Sequence, residues 1–283
     1  MRLNLESALG GPAIGKAFPS LFTRSSPVVE RDSSLFMVAS LLRFHWAEAA
    51  LILVDRTRPV RVGGKVAFVA GHRVLKSLFD APPRDRYSDM FKPSEANAVL
   101  MPPLESTRTL RDLLQVFHLE RYGFTAVTSG SMFCMVGLSG VLGLFEDGTL
   151  DTGLCAEDVA TQPVSVPKDA TLGEALGLML RERIRRVFIG ETKAYISDRE
   201  VIGYLFSPRK LQEVKRAPAK MFEDRVVEVG PVDPEDVDPH LPLRECAKLM
   251  ARSQGGTLCC PRGVISPWDI VMKPFASGDL LVS

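Results

Sequence analysis

The sequence lacks an excess of charge of either sign. Its 283 residues contain 35 lysines and arginines against 34 aspartates and glutamates. A chain that is drawn to nucleic acid or to an anionic membrane by its overall field carries a clear basic surplus. The composition therefore argues against both as general partners.

Long hydrophobic runs and a secretory leader are also missing. The longest apolar stretch, residues 133–145, is short and is interrupted by glycine and serine, so it does not suit a bilayer crossing. Residues 1–9 contain Arg2 and Glu6 instead of an apolar core with a cleavage site. We therefore expect a cytoplasmic protein without a membrane span.

Cysteine and asparagine are scarce. The five cysteines are an odd number and form neither paired C-x-x-C motifs nor a histidine-containing set at zinc spacing, so we expect small core residues and no metal site. Only two asparagines occur, which is one mark of proteins from thermophiles. The cysteines are Cys134, Cys155, Cys246, Cys259 and Cys260.

What the sequence does contain is a repeated unit. Its clearest copy runs from Pro163 to Phe206 in the order strand, helix, strand, strand, helix. Apolar residues at helical spacing follow Thr171, which forms a capping-box pattern with Glu174. The same order can be followed at four places, at about residues 24–82, 94–148, 155–208 and 222–275.

These repeats predict an α/β (α+β) fold of four β-α-β-β-α units. One unit has too little apolar surface to close a core, so the units should pack in pairs. Pairing of neighbours is the most economical arrangement, and it predicts two modules at residues 1–150 and 151–283. Residues 207–220 between two copies include a basic run, which we interpret as a solvated linker rather than a nucleic-acid site.

Two stretches of the third copy, PVSVPKDATLGEAL (163–176) and YISDREVIGYL (195–205), resemble the signature segments of the CBS (cystathionine β-synthase) domain. The fourth copy is similar through GVISPWDIV (263–271), and the first two agree in position and hydrophobic pattern. The resemblance implies two Bateman modules, each a pseudo-twofold pair of CBS domains. Members of the family commonly bind AMP, ADP, ATP or S-adenosylmethionine between paired domains.

The family pattern implies ligand contacts where the last helix of a repeat begins. A serine or threonine ends the second paired strand, and an acid follows three residues later, as in Ser197 with Glu200 and Ser266 with Asp269. The carboxylate can accept hydrogen bonds from ribose hydroxyls, while the serine and the free helix amides can meet a phosphate. The alternative is an ordinary capping box, with Pro267 at the first helical position.

Two arginines precede the second strand of the third copy. Basic residues at this place contact the ligand's phosphate in members of the family, which makes Arg185 and Arg186 candidates. Because side chains alternate along a strand, only one of them should point to the ligand. Two solvated arginines at a strand edge are the alternative.

The first strand of the third copy and one tryptophan complete the candidate set. In the family this strand walls the adenine, so Val164, Ser165 and Val166 are candidates, with a plain core strand as the alternative. Trp268 could stack on a base or simply pack in the core.

The first two copies have lost the pattern. Ala70 and Arg73 stand at the serine and acid positions of the first copy, and Gly137 and Gly140 at those of the second. None of these side chains accepts a hydrogen bond from ribose, so we expect the N-terminal module to be empty or to bind something else.

Together these observations predict a non-catalytic regulatory protein. No nucleophile with a paired base and no metal cluster is recognisable in the sequence, which argues against an enzyme. We expect an adenine nucleotide (AMP, ADP or ATP rather than S-adenosylmethionine) in the C-terminal repeats, energy sensing, and signalling to an unidentified protein through domain rearrangement. A homodimer fits this interpretation. The alternative is a structural scaffold or oligomerisation protein with vestigial clefts.

Overall fold

The fold consists of short strands and helices that alternate along the whole chain. The computed structural model describes residues 3–4, 11, 13–22, 27–45, 47–55, 57–130, 132–253 and 256–277. None of the helices in these ranges combines the length and the apolar character needed to cross a membrane. The chain begins with β1 (Leu3–Asn4) and α1 (Ile14–Ala17).

The four predicted repeats are present in the predicted order. The first contains β2 (Val28–Glu30), α2 (Leu35–His45), β3 (Ala49–Leu53), β4 (Arg61–Val62), β5 (Lys65–Ala70) and α3 (Gly71–Asp80), followed by α4 (Arg86–Asp89) and β6 (Val99–Met101). The second contains β7 (Leu104–Glu105), α5 (Leu110–Glu120), β8 (Phe124–Ser129), β9 (Met132–Gly137) and α6 (Leu138–Glu146), followed by β10 (Leu150–Asp151) and α7 (Ala156–Val159).

The third and fourth repeats are shorter. The third contains β11 (Ser165–Val166), α8 (Leu172–Glu182), β12 (Arg186–Ile189), β13 (Tyr195–Ser197) and α9 (Asp198–Leu205), followed by α10 (Pro208–Arg216). The fourth contains β14 (Glu235–Asp236), α11 (Leu243–Arg252), β15 (Leu258–Cys260), β16 (Gly263–Ile265) and α12 (Pro267–Ala276). The predicted fold of four β-α-β-β-α repeats is confirmed.

Helix α8 shows why the sequence forms these elements. The Thr171 hydroxyl accepts a hydrogen bond from the Glu174 amide (3.2 Å), and the Glu174 carboxylate accepts one from the Thr171 amide (2.7 Å). This capping box satisfies amides that have no partner inside the helix. The helix ends at Arg183, which adopts a left-handed conformation (φ 55°). Of the predicted stripe, Leu172, Ala175, Leu176 and Met179 are buried, whereas Leu180 is only partly buried.

Each repeat builds one sheet, and all four share a parallel pair followed by an antiparallel pair, to which the first repeat adds β4 and β6. In the third repeat β11 pairs in parallel with β12, and β12 pairs antiparallel with β13. The fourth repeat has the same arrangement in β14, β15 and β16. In both repeats the last strand runs directly into the last helix. The residue that caps this helix is therefore held by the sheet.

The repeats share their cores differently from the prediction. Among the described residues, unit 1 comprises Met1–Ser25, Met101–Pro163 and Pro234–Ser283, and unit 2 comprises Ser26–Leu100 and Val164–Asp233. One buried cluster joins the first and third repeats, and another joins the second and fourth. The expectation that repeats adjacent in sequence share a core is therefore wrong.

The physical reason lies in the helices. In unit 2 the packing involves α2, α3, α8 and α9, whose apolar stripes cover one another, and in unit 1 the corresponding contacts involve α6, α11 and α12. Residues 155–163, which were predicted to begin the third repeat, belong to unit 1. The assignment of ligand-binding modules to residues 1–150 and 151–283 stays a prediction.

The basic run after the third repeat is mostly exposed, as predicted, but it forms a helix and buries Lys210. Residues 208–216 form α10, where Ser207 caps the helix by accepting a hydrogen bond from the Lys210 amide (3.3 Å). The side chain of Lys210 is only 4% exposed and forms ion pairs with Asp224 and Glu213. A buried lysine needs such partners because the loss of hydration is costly.

The cysteines follow the core prediction only in part. Cys246 and Cys260 are buried in the core of unit 1, as predicted. Cys134, Cys155 and Cys259 are partly exposed, so the prediction of core positions is wrong for them.

Candidate functional site

The N-terminus of α9 has the predicted serine and acid side by side. The Ser197 hydroxyl accepts a hydrogen bond from the Arg199 amide (3.1 Å), and Glu200 Oε2 accepts one from the Ser197 amide (2.7 Å). These bonds form the ordinary capping interaction that the sequence left open. Glu200 Oε1 accepts no hydrogen bond from any described residue. One carboxylate oxygen is thus available to a ligand, whereas the first amides of the helix already have partners: the Asp198 amide donates to the Arg185 carbonyl (3.1 Å) and that of Arg199 to the Ser197 hydroxyl.

Arg185 already forms a salt bridge with a neighbouring carboxylate. Its guanidinium donates two hydrogen bonds to Asp198, Nε to Oδ2 (2.9 Å) and Nη2 to Oδ1 (3.3 Å). Glu48 Oε1 lies 3.8 Å from Nη1 on another side. Burial raises the pKa of Asp198, but the charge and hydrogen bonds of Arg185 outweigh this effect and hold the pKa below its ordinary value of 3.8. This pairing leaves Arg185 poorly placed for a phosphate.

Arg186 differs from Arg185 in its surroundings. It lies directly opposite Ser197 in the antiparallel pair of β12 and β13. Its Nε is buried and has no hydrogen-bond partner among the described residues. Because side chains directly opposite in a sheet share one face, the Arg186 side chain lies on the same face as the Ser197 hydroxyl. Of the two predicted arginines, Arg186 is the better candidate for an anion at the start of α9.

Strand β11, which was expected to lie against a base, leaves backbone groups available at the edge of its sheet, whereas its valine is buried in the core. The carbonyls of Val164 and Val166 accept hydrogen bonds from the amides of Phe188 (2.9 Å) and Gly190 (2.7 Å) in the neighbouring chain segment. The backbone groups of Ser165 therefore point toward the open edge of the sheet. Val166 packs in the core of unit 2, which is the plain-strand alternative, and Val164 is 38% exposed.

At the second predicted site, the start of α12 in unit 1, most polar groups already form hydrogen bonds within the protein. Asp269 Oδ2 accepts hydrogen bonds from the Ser266 amide (2.8 Å) and hydroxyl (2.6 Å). Asp269 Oδ1 accepts one from the Thr161 hydroxyl (3.1 Å), and Lys273 Nζ lies 3.9 Å away. The residue is buried, with 8% exposure. These bonds leave little of the carboxylate for a sugar.

Thr161 was missed by the sequence analysis, although the structure places it beside Asp269. Its backbone forms two hydrogen bonds with Val264 of β16 (2.9 and 2.8 Å), so the side chain is fixed in position. A threonine far away in the sequence carries no local motif that could have pointed to it. Trp268, the last of the predicted residues, packs against the core of unit 1.

The first two repeats lack these side chains at the expected positions. Ala70 caps α3 and Gly137 caps α6, and neither provides a side-chain hydrogen bond. Arg73 and Gly140 occupy the positions of the acids. The sequence alignment of the four repeats is therefore correct at the helix starts.

One cavity in the described part of the chain does not contain the predicted ligand residues. It has a volume of about 410 Å³ and lies in unit 1, where Gly143, Asp147 and Lys248 are among the residues that line it. A much smaller pocket of about 10 Å³ in unit 2 is lined by Arg185 and Asp198, and it has no room for a nucleotide. Cavity volume therefore gives no support to the predicted site, which depends on its hydrogen-bonding groups.

Comparisons with known proteins agree with this description. Residues 156–206 match the CBS domain family. A crystal structure from Methanocaldococcus jannaschii, described as a candidate archaeal homologue of γ-AMPK, has a TM-score of 0.75 at 12% identity and covers 90% of this chain and 98% of its own. An uncharacterised conserved protein from Pyrococcus horikoshii has a TM-score of 0.51 at 14% identity, with the same coverage. None of the curated proteins matches the sequence.

The match to the CBS domain family covers the third repeat, and over 90% of the chain the fold is similar to that of the M. jannaschii structure.

Proposed function

We propose that this chain is a non-catalytic regulatory protein that binds an adenine nucleotide at the N-terminus of α9. The observation that carries the proposal is the pair of unused groups at one place: Glu200 Oε1, and the guanidinium of Arg186 opposite Ser197. An acceptor for a sugar diol and a donor for a phosphate are the two groups that a nucleotide requires.

The elements around α9 supply further groups for such a ligand. The positive end of the helix dipole favours a phosphate at the helix start. The open backbone edge at Ser165 offers a donor and an acceptor, which suits the edge of a purine ring. We infer AMP, ADP or ATP as ligands before S-adenosylmethionine, because Arg186 adds positive charge where a phosphate binds.

The similarity to the M. jannaschii protein supports a sensing role. That protein is described as a candidate homologue of γ-AMPK, and its fold covers 90% of this chain. By analogy we infer that the nucleotide-bound state is read by a partner protein through a conformational change. A role in energy sensing within the cytoplasm follows from this analogy.

The scaffold alternative is favoured at the fourth repeat. There the Asp269 carboxylate accepts three hydrogen bonds from Ser266 and Thr161 and acts as a structural group. If Glu200 likewise served only to cap its helix, the protein would have no nucleotide site at α9 and would act as a scaffold. An experiment on Glu200 therefore decides between the two functions.

Substitution of Glu200 by glutamine should weaken nucleotide binding about tenfold, which corresponds to about 1.4 kcal/mol. Glutamine preserves the capping box but removes the charge that accepts ribose hydroxyls. The matched control is Glu174→Gln, which changes an equivalent capping box at the start of α8. We expect isothermal titration with AMP and ATP to show weaker binding for Glu200→Gln and unchanged binding for Glu174→Gln.

A second variant tests the phosphate contact. Arg186→Gln should weaken the binding of AMP but leave the binding of adenosine nearly unchanged, because adenosine has no phosphate. The scaffold function is supported instead if Glu200→Gln and Glu174→Gln bind nucleotides equally. It is also supported if none of the nucleotides raises the melting temperature of the unaltered protein.

A further inference from the structure

A second group of chemically active side chains lies in unit 1, outside the α9 site. Cys155 Sγ, a carboxylate oxygen of Glu157 and a ring nitrogen of His240 all lie within 4.8 Å of one another. The closest measured approach is between His240 Nδ1 and Glu157 Oε1, at 3.2 Å. A thiol, a carboxylate and an imidazole are the three ligand types that zinc takes from proteins.

Two backbone segments hold these side chains in register. The Ala156 amide donates to the Leu241 carbonyl (2.9 Å), and the Glu157 amide donates to the Pro239 carbonyl (2.9 Å). Cys155 forms an antiparallel bridge with Pro242 one step further along. The segment that carries Cys155 and Glu157 is thus fixed against the segment that carries His240. The three groups therefore need only side-chain rotations to approach a common centre.

The neighbouring polar groups suit a coordinated metal. Asp158 Oδ2 accepts hydrogen bonds from the Cys155 amide (2.8 Å) and thiol (3.1 Å), so it holds Cys155 in position. Arg262 Nε lies 3.3 Å from Glu157 Oε2, so it can orient this carboxylate while Oε1 faces the metal. The turn that carries His240 is fixed by a hydrogen bond from its amide to Asp238 Oδ1 (2.8 Å).

We propose that Cys155, Glu157 and His240 bind one divalent transition-metal ion, with zinc as the best match. Tetrahedral zinc with bonds of about 2.0–2.3 Å places its ligands about 3.5 Å apart, which is near the spacing found here. The thiol coordinates as a thiolate, and its proton is released to the solvent when the metal binds. The ion would cross-link the start of α7, with Cys155 at its N-cap and Glu157 in its first turn, to the segment before α11 within unit 1.

The purified full-length chain, stripped of metal by chelation, tests this proposal with Co²⁺ as a spectroscopic probe. We expect one Co²⁺ per chain, with a thiolate charge-transfer band in the near ultraviolet and visible bands of a tetrahedral site. Addition of Zn²⁺ should remove these bands. The assay does not involve nucleotides, so its result is independent of the α9 site.

Variants assign the ligands. Cys155→Ser should abolish the charge-transfer band, and both Cys155→Ser and His240→Gln should weaken the binding of Zn²⁺ at least tenfold. Cys134→Ser and His118→Gln are the matched controls, which should bind as the unaltered protein does. Far-ultraviolet circular dichroism checks that every variant is folded. The proposal is overturned if the unaltered chain binds no Zn²⁺ at micromolar concentration, or if both ligand variants bind it as tightly as the controls.

Discussion

Replacement of Arg185 by methionine is expected to lower the free energy of unfolding by about 3–5 kcal/mol at neutral pH. The reason is the carboxylate that remains. The side chain of Asp198 is only 4% exposed, and Arg185 donates two hydrogen bonds to it at 2.9 and 3.3 Å. Glu48, whose side chain is 11% exposed, would lose its nearby cation as well. Denaturant unfolding at pH 7 measures the change.

Substitution of the partner, Asp198→Asn, should lower the free energy of unfolding less than Arg185→Met does. This difference makes the prediction specific. Asp198→Asn leaves behind Arg185, which is 38% exposed and can be hydrated. The double variant Arg185→Met/Asp198→Asn should recover part of the unfolding free energy that Arg185→Met loses, because the buried Asp198 charge is then removed together with Arg185. Arg181→Met is the control: Arg181 is 68% exposed beside Glu182, and its loss should cost less than about 0.5 kcal/mol. A cost for Arg185→Met as small as that of the control would contradict the prediction.

Acidification from pH 6.5 to pH 4 should destabilise the protein by up to about 3 kcal/mol through His72. Burial lowers the pKa of His72 from 6.5 to about 4, and the charges facing it are Asp198, which raises the pKa, and Arg185 and Arg73, which lower it. The unfolded chain therefore takes up a proton in this range while the folded chain does not. Stability from this group is complete above pH 6.5 and is lost as the pH falls toward 4.

The pH dependence can be assigned by substitution. His72→Gln carries no titrating group, so the fall in unfolding free energy between pH 6.5 and 4 should become smaller by the amount due to His72. His45→Gln is the control, because His45 is exposed at the end of α2. If the pH profile of His72→Gln has the same slope as that of the unaltered protein, His72 does not cause the loss.

Sequence patterns predicted the elements that local forces determine. The spacing of Leu172, Ala175, Leu176 and Met179 predicted a helix with one buried face, and this face is buried. Capping patterns at Thr171 and Ser197 predicted two helix starts. These signals depend on neighbours within four residues along the chain, so they can be read without the tertiary structure.

Sequence patterns did not predict which faces meet. An apolar stripe shows that a helix is covered, but it does not identify the covering helix, and the shared cores therefore differ from the predicted pairs. The same limit applies to Thr161 beside Asp269 and to the cluster of Cys155 and His240. Strand alternation predicted that only one of Arg185 and Arg186 points to a ligand, and this stays a prediction; the pairing of Arg185 with Asp198 followed only from the structure.

The alternation of the chain between two units affects the order in which the protein can be completed during synthesis. The chain passes from one unit to the other near residues 25, 100, 163 and 233, so each core is assembled from segments made at different times. The core of unit 2 has its last buried member at Val229, whereas that of unit 1 waits for Phe275. A nascent chain that has reached only its midpoint holds one incomplete half of each core, and both halves remain exposed to aggregation until the later repeats emerge from the ribosome.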